Sequence, residues 1–316
     1  MRLIICGLAP AASYRKGTYG RSRRMRDITI IVAEENILAH GHSHGIPPAP
    51  QPLPGIQNII ALGSGKGGVG KTTVAVNLAI ALSKLGHKVG LLDGDIYGPN
   101  VPLMLGALDA QPQPLEGNRI QPVEQYGIKM ISVGLLNPGD KPVIWRGPML
   151  HSIIRQFLQQ VVWGELDYLI IDLPPGTGDV AISLIQTVPV SGAVVVSTPS
   201  DVALQDARKA IEMFKQLKVD ILGLVENMSH FTCPHCHHEI DIFSKEGGGR
   251  TAKQYDLPLL AQIELDPELR RAGDAGQPAA LAGEDAPHAR VLYEMARNIV
   301  AKAKEVGSSE SVIQVR

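Results

Sequence analysis

The sequence predicts an α/β fold, a doubly wound and mostly parallel sheet flanked by helices in a single main domain, and three observations carry that prediction. Short apolar runs, at residues 58–62, 88–92, 168–173, 193–197 and 220–225, recur at intervals long enough for a crossover helix. Amphipathic stretches lie between them: residues 73–85 put Val74, Leu78, Ala81, Leu82 and Leu85 on one helical face, and residues 203–217 supply a second crossover. A glycine-rich segment joins the first apolar run to the first helix, and acids follow the next two runs, where an open parallel sheet gathers its ligand-binding residues.

Composition supports a folded enzyme. The chain has 316 residues, 44% apolar and 19% charged, with 33 glycines and 4% aromatics, which suits a loop-rich α/β protein and excludes a disordered one. Its 30 basic and 31 acidic side chains leave a formal net charge of -1, so no global field draws it onto nucleic acid or anionic lipid. No apolar run approaches the roughly 18 residues needed to span a bilayer. Cys6, Cys233 and Cys236 are too few for a disulfide scaffold, and a Cys-x-x-Cys pair in such a chain points to metal or redox chemistry in a reducing compartment. These features read as cytoplasmic, with neither nucleic acid nor membrane as partner.

Three segments follow from texture. Residues 1–52 form a basic, His- and Pro-rich leader and linker, residues 53–306 the main domain, and residues 307–316 a flexible tail. Arg2, Arg15, Lys16, Arg21, Arg23 and Arg24 precede any acid, as in an organellar transit peptide, which would place the protein in an organellar matrix. A flexible basic arm, or an upstream stretch before a true start at Met25, accounts for them equally. His40, His42 and His44 alternate with glycine and serine ahead of a proline-rich run, a pattern that suits a solvated linker better than an organised metal site.

The glycine-rich segment reads G-K-G-G-V-G-K-T at residues 65–72, which satisfies G-x-x-x-x-G-K-S/T between a strand and a helix. This is a phosphate-binding loop, and the fold is that of a P-loop NTPase holding ATP with Mg²⁺. Gly65, Lys66, Gly67, Gly68, Val69, Gly70, Lys71, Thr72 and Thr73 form the nucleotide-binding run. Glycines let backbone N–H groups approach the phosphates, Lys71 reaches the β- and γ-phosphates, and the Thr72 hydroxyl is offered to Mg²⁺. A P-loop does not require Lys66. At the mouth of its own site it either supplies cationic charge to a triphosphate on a facing copy, as an arginine finger does, or is a solvated loop lysine.

The acids complete the expected site. Asp95, after the second apolar run, is the candidate for orienting the attacking water and assisting Mg²⁺, and Asp93 beside it reads as a turn former. Asp172 ends the third run where a P-loop hydrolase keeps the acid that supports Mg²⁺, and the P-P-G-T-G turn after it reads as a switch. Asp179 belongs to that switch or to the N-terminus of the next helix. Asn227 lies just beyond the run at 220–225, where an amide can meet a purine edge.

Cys233-Pro-His-Cys236 has the spacing for two thiolates on one metal centre. The remaining ligands come either from His235, His237 or His238, which fits zinc, or from a second chain, which fits a [4Fe–4S] cluster bridging two subunits. The chemistry of the residues leaves both open.

Together these motifs resemble the Mrp/ApbC-type iron–sulfur cluster carrier ATPases, within the deviant P-loop ATPases that include division-site and partition proteins. The resemblance covers residues 53–303 and rests on five stretches. They are P-G-I-Q-N-I-I-A-L-G-S-G-K-G-G-V-G-K-T-T at 54–73, L-L-D-G-D-I-Y-G-P-N at 91–100, W-R-G-P-M at 145–149, D-Y-L-I-I-D-L-P-P-G-T-G-D at 167–179 and E-N-M-S-H-F-T-C-P-H-C at 226–236. It implies a slow, Mg²⁺-dependent ATP hydrolase that works as a homodimer, takes a cluster from an assembly scaffold and delivers it to apo iron–sulfur client proteins. In its terms Lys66 is the signature lysine, Asp95 the first-switch catalytic acid, Asp172 the magnesium-supporting acid, Asn227 the adenine contact, and Cys233 with Cys236 the bridging cluster ligands. Two departures stand out: many members carry a small N-terminal domain that the leader is too short to supply, and Glu264 stands where the family usually has proline. The alternatives are a ParA/MinD-like positioning ATPase with a structural zinc at the cysteines, and a nitrogenase-like electron donor. The helical stretch at 286–304, mixed in charge, argues against the first, and the adjacency of the two cysteines against the second.

Overall fold

The computed structural model describes residues 50–136 and 147–313, and for 147–151 and 309–313 the backbone alone. The leader through residue 49, with Cys6, His40, His42 and His44, and Trp145 with Arg146 of the tryptophan motif, lie outside the described residues.

In chain order the elements begin β1 (Ile56–Gly63), α1 (Lys71–Lys84), β2 (Val89–Asp93), α2 (Val101–Met104), β3 (Gln113–Leu115), β4 (Arg119–Gln121), β5 (Val123–Gln125) and β6 (Ile128–Ser132). They continue with α3 (Gly147–Gln159), β7 (Leu166–Asp172), α4 (Asp179–Thr187), β8 (Gly192–Ser197), α5 (Asp201–Gln216) and β9 (Ile221–Asn227). The C-terminal part adds β10 (Phe231–Thr232), β11 (Glu239–Ile240), α6 (Gly247–Gln254), β12 (Leu259–Ile263), α7 (Pro267–Asp274) and α8 (Pro287–Ile313).

Eight strands form one sheet in the order β12-β9-β8-β1-β7-β2-β6-β5. Every pairing is parallel except that of β5 with β6, which puts one antiparallel strand at an edge. The central strands are buried on both faces, so their side chains feed two cores in alternation. From β1, Ile60 and Leu62 pack with α1 residues Val74, Leu78 and Leu82 and with Leu292 and Ile299 of α8. Ile59 and Ala61 face the other way, among Phe157 of α3, Leu184 of α4 and Ile211 and Phe214 of α5. Burying one such aliphatic side chain contributes roughly 1.5–3 kcal/mol.

This arrangement sets the loops after β1, β2 and β7 side by side. Register places Leu62 beside Asp172 and Asp93 beside Asp172, so three strand ends reach the same level at the same edge. All five expected strands are present within a residue or two of their predicted limits, and α1 starts at Lys71, inside the phosphate loop. The C-terminal stretch differs from expectation. The segment from residue 307, read as a flexible tail, continues α8 to Ile313. No proline stops the helix, and the Ser308 hydroxyl bonds back to the Lys304 and Glu305 carbonyls at 2.9 and 2.8 Å.

Candidate nucleotide site and cysteine hairpin

The phosphate loop is closed by contacts that explain its composition. A Cβ on Gly65 would lie 2.0 Å from the backbone carbonyl carbon of Asp206, so the loop presses directly on α5. Gly70 has φ +83°, and a Cβ there would meet the amide nitrogen of Asn227 at 2.1 Å. The Ser64 hydroxyl donates to the Lys66 carbonyl at 3.1 Å, and the Gly176 N–H to the Ser64 carbonyl at 2.8 Å, which fastens the P-P-G-T-G turn to the loop.

Lys71 and Asp172 form the centre. The Lys71 Nζ donates to Asp172 Oδ1 at 2.6 Å, with the side chains 5% and 0% exposed, and the Thr72 hydroxyl donates to Asp172 Oδ2 at 2.7 Å. Both carboxylate oxygens are thus occupied by the two residues expected to serve phosphate and Mg²⁺. Lys66 is half-buried, and among the described residues its ammonium makes no hydrogen bond or ion pair. Beside it opens a cleft of about 300 Å³, lined by the loop from Lys66 to Thr73, by Asp95, Asn100 and Pro175, and by Leu269, Arg270, Gly273 and Asp274 of α7.

Asp93 is more than a turn former. It is 1% exposed, accepts a hydrogen bond from the Ser132 hydroxyl at 2.8 Å and from the Asp95 N–H at 3.2 Å, and lies level with Asp172. Burial, and then the Asp172 charge, push its carboxyl up to about 7 against the restraint of Ser132 and Lys71. Asp95 lines the cleft, and burial raises its carboxyl too, with Lys71 pulling it back. Asp179 is the exposed first residue of α4, where a negative charge suits the helix dipole.

Asn227 reaches the phosphate loop. It is 3% exposed and its Nδ2 donates to the Val69 carbonyl at 2.9 Å, so its amide braces the loop. Sequence reading also passed over Ser132, α7 and Glu226. The last is 1% exposed and holds Gln262 Nε2 at 2.8 Å together with the Gly248 N–H.

The cysteines sit on a separate feature. β10 pairs antiparallel with β11, and the turn between them carries Cys233 and Cys236. The Cys233 N–H donates to the His238 carbonyl at 3.0 Å and the His237 N–H to the Cys233 carbonyl at 2.9 Å, with His237 at φ 56°. Backbone N–H groups of Cys236 and His235, followed by the Cys236 thiol, lower the Cys233 thiol below its usual range, which favours the thiolate that binds metals. Cys236 is exposed, and Ile240, Ile242 and Phe243 just beyond it are 45%, 46% and 44% exposed. Among the described residues, no third His, Cys, Asp or Glu joins the pair to make a metal-binding group.

Comparison with known proteins places the chain in a family. The chain is 51% identical over 255 residues to an iron–sulfur cluster carrier protein of Deinococcus radiodurans, covering 80% of this chain and 72% of that one. Among solved structures, it is similar to a nucleotide-binding protein of Archaeoglobus fulgidus in complex with ADP, at 39% identity and TM-score 0.64, covering 71% of this chain and 88% of that one. It is also similar to the cell division ATPase MinD of Pyrococcus furiosus, at 26% identity and TM-score 0.57, covering 77% and 98%. Residues 55–300 match the ParA family in the form described as the NUBPL iron-transfer P-loop NTPase. The chain, an α/β P-loop NTPase, belongs to that family, within the Mrp/ApbC-type iron–sulfur cluster carrier ATPases.

Proposed function

We propose that this protein is an ATP-dependent carrier that holds a [4Fe–4S] cluster between two copies of the chain, receives it from an assembly scaffold and passes it to apo-proteins. Membership of the family supports the carrier role and ATPase activity. The observation that carries the finer reading is the cysteine hairpin itself: two exposed or half-exposed thiols, with no third ligand gathered around them among the described residues, match half of a four-thiolate site. A two-fold axis supplies the other half with the fewest parts, because an isologous contact brings the same pair from the second copy.

The phosphate loop's own residues give the ATPase step. Lys71 leaves Asp172 for the β- and γ-phosphates, and the Thr72 hydroxyl is released from the same carboxylate. Thr72, Asp172 and Asp95 are hard oxygen donors grouped at one edge, a set that fits Mg²⁺. Bound there, Mg²⁺ neutralises charge developing on the phosphoryl oxygens. Asp95, whose carboxyl burial raises above its usual range, orients the attacking water and receives its proton. Lys66, without a partner among the described residues of its own chain, reaches the triphosphate of the facing copy.

Anaerobic reconstitution tests this reading. It predicts about four iron and four sulfide per dimer, abolished in Cys233→Ala and Cys236→Ala. Stoichiometric zinc without sulfide would end it. The likeness to MinD supports a second reading, a positioning ATPase with a structural zinc. ATP-dependent co-sedimentation of the purified chain with anionic liposomes would favour that one.

A further inference from the structure

The stretch that leads from the phosphate loop to the cysteines is zipped along the end of β12. Asn227, whose amide holds the Val69 carbonyl, closes β9 opposite Ile263. After Met228, the Ser229 N–H donates to the Ile263 carbonyl at 2.9 Å, and the Leu265 N–H donates to the His230 carbonyl at 2.8 Å. The Thr232 hydroxyl then donates to Glu264 Oε2 at 2.9 Å, one residue before Cys233, with His230 Nε2 at 3.8 Å from the same oxygen.

Two residues beyond Glu264 the chain caps α7, the helix that forms a wall of the nucleotide cleft. The Asp266 carboxylate caps α7, accepting the Glu268 N–H at 2.7 Å, and α7 presents Leu269, Arg270, Gly273 and Asp274 to the cleft. A second cavity of about 190 Å³, lined by His230, Glu264, Asp266 and Leu269, lies on the other side of Leu269, which borders both. The segment 263–266 therefore touches the cysteine strand on one side and the cleft wall on the other. It also has open space into which it can shift.

We propose that Glu264 is a positioning residue whose hydrogen bond to Thr232 transmits the filling of the nucleotide cleft, through α7, to the cysteine hairpin. This rests on the carrier reading for its purpose but not for its test. Nucleotide seated against α7 moves the segment that carries Glu264, Glu264 moves Thr232, and the backbone of Cys233 follows. Coupling of this kind is a difference in nucleotide affinity between two hairpin positions, and it operates in both directions. A proline at position 264 has no acceptor side chain for Thr232, so this route is specific to chains with an acceptor there.

The test uses iron-free full-length protein and iodoacetamide, with alkylation of each cysteine followed by mass spectrometry. Nucleotide is set to saturate each variant. In the wild type, Mg²⁺ with a non-hydrolysable ATP analogue changes the Cys233 alkylation rate by about tenfold. In Glu264→Ala and in Thr232→Val that change falls to about twofold or less, the double variant is no worse than either single one, and Glu264→Gln, which keeps an acceptor, restores it. A purely structural role for Glu264 would shift the rate equally with and without nucleotide. That outcome, an unchanged nucleotide effect in Glu264→Ala, or no nucleotide effect in the wild type would each overturn the proposal. Zinc-only reconstitution would sink the carrier reading and leave this thiol result standing.

Discussion

At the phosphate loop the buried polar groups are paired within one chain: Lys71 and Thr72 share the two oxygens of a fully buried Asp172, and Asn227 clamps Val69. At the cysteine hairpin almost nothing is. Cys236 is exposed, Ile240, Ile242 and Phe243 stand in solvent next to it, and no third ligand is gathered among the described residues. The two regions are far apart along the chain but joined at one strand end, since Asn227, which clamps the loop, closes β9 and leads on to Cys233. On the proposed reading the contrast separates a site finished by folding from one finished by association: the loop is preorganised for a ligand whose geometry is fixed, and the hairpin would take its remaining partners from a second copy.

That contrast is most vulnerable at Lys71. Lys71→Ala leaves Asp172 buried without its counter-ion, so the fold loses about 3–5 kcal/mol, and ATP hydrolysis falls by roughly 10²–10³-fold. Thermal unfolding and a phosphate-release assay measure the two effects. A fully stable variant would mean that the pair is ornamental and the loop is not closed in the sense described.

Lys66 tests the boundary between the two regions, because it belongs to the loop by sequence and to association by its proposed role. Lys66→Ala lowers hydrolysis by at least about 10²-fold while nucleotide binding, followed by fluorescence of a labelled ATP, changes little. Mixing it with an Asp95→Ala chain restores part of the activity if the lysine acts in trans. No recovery in the mixture would return Lys66 to a solvated role.

The smallest effect sharpens how finished the loop is. The folded pKa of Asp93 is raised from 3.8 to about 7 by burial and by Asp172, so the folded state binds that proton more tightly than the unfolded one. The stability this contributes is fully present below pH 3.8 and is lost as pH rises through about 7. Asp93→Asn removes the dependence. The difference in Tm between variant and wild type therefore grows in the variant's favour from about pH 4 to about pH 7, measured by thermal denaturation at fixed ionic strength. A flat difference would mean that Asp93 is ionised throughout.

Much of the loop was legible in the sequence because its chemistry is local. The residues from Gly65 to Thr73 are contiguous, and the steric demands on Gly65 and Gly70 are written as glycines whatever lies opposite. What lies opposite was not legible. The backbone of Asp206 and the amide of Asn227 arrive there by strand order, and sequence cannot show that the Asn227 amide holds the Val69 carbonyl. Asp93 looked like a turn former for the same reason, since its partners Ser132 and Asp172 come from β6 and β7. The edge strand β5 escaped because it is three residues long and its hairpin turns on Tyr126 and Gly127, with φ 51° and 79°, where Asn-Gly is the expected signal. Of the hairpin, sequence showed the cysteine pair and its spacing but not Glu264's hold on Thr232, a contact between side chains far apart in the chain.

Native mass spectrometry of anaerobically reconstituted protein addresses the division between the two regions most directly. The account predicts a dimer carrying the mass of one Fe₄S₄ unit, which reverts to monomer without iron or sulfide in Cys236→Ala. A monomer of wild-type protein that carries one zinc ion would contradict it.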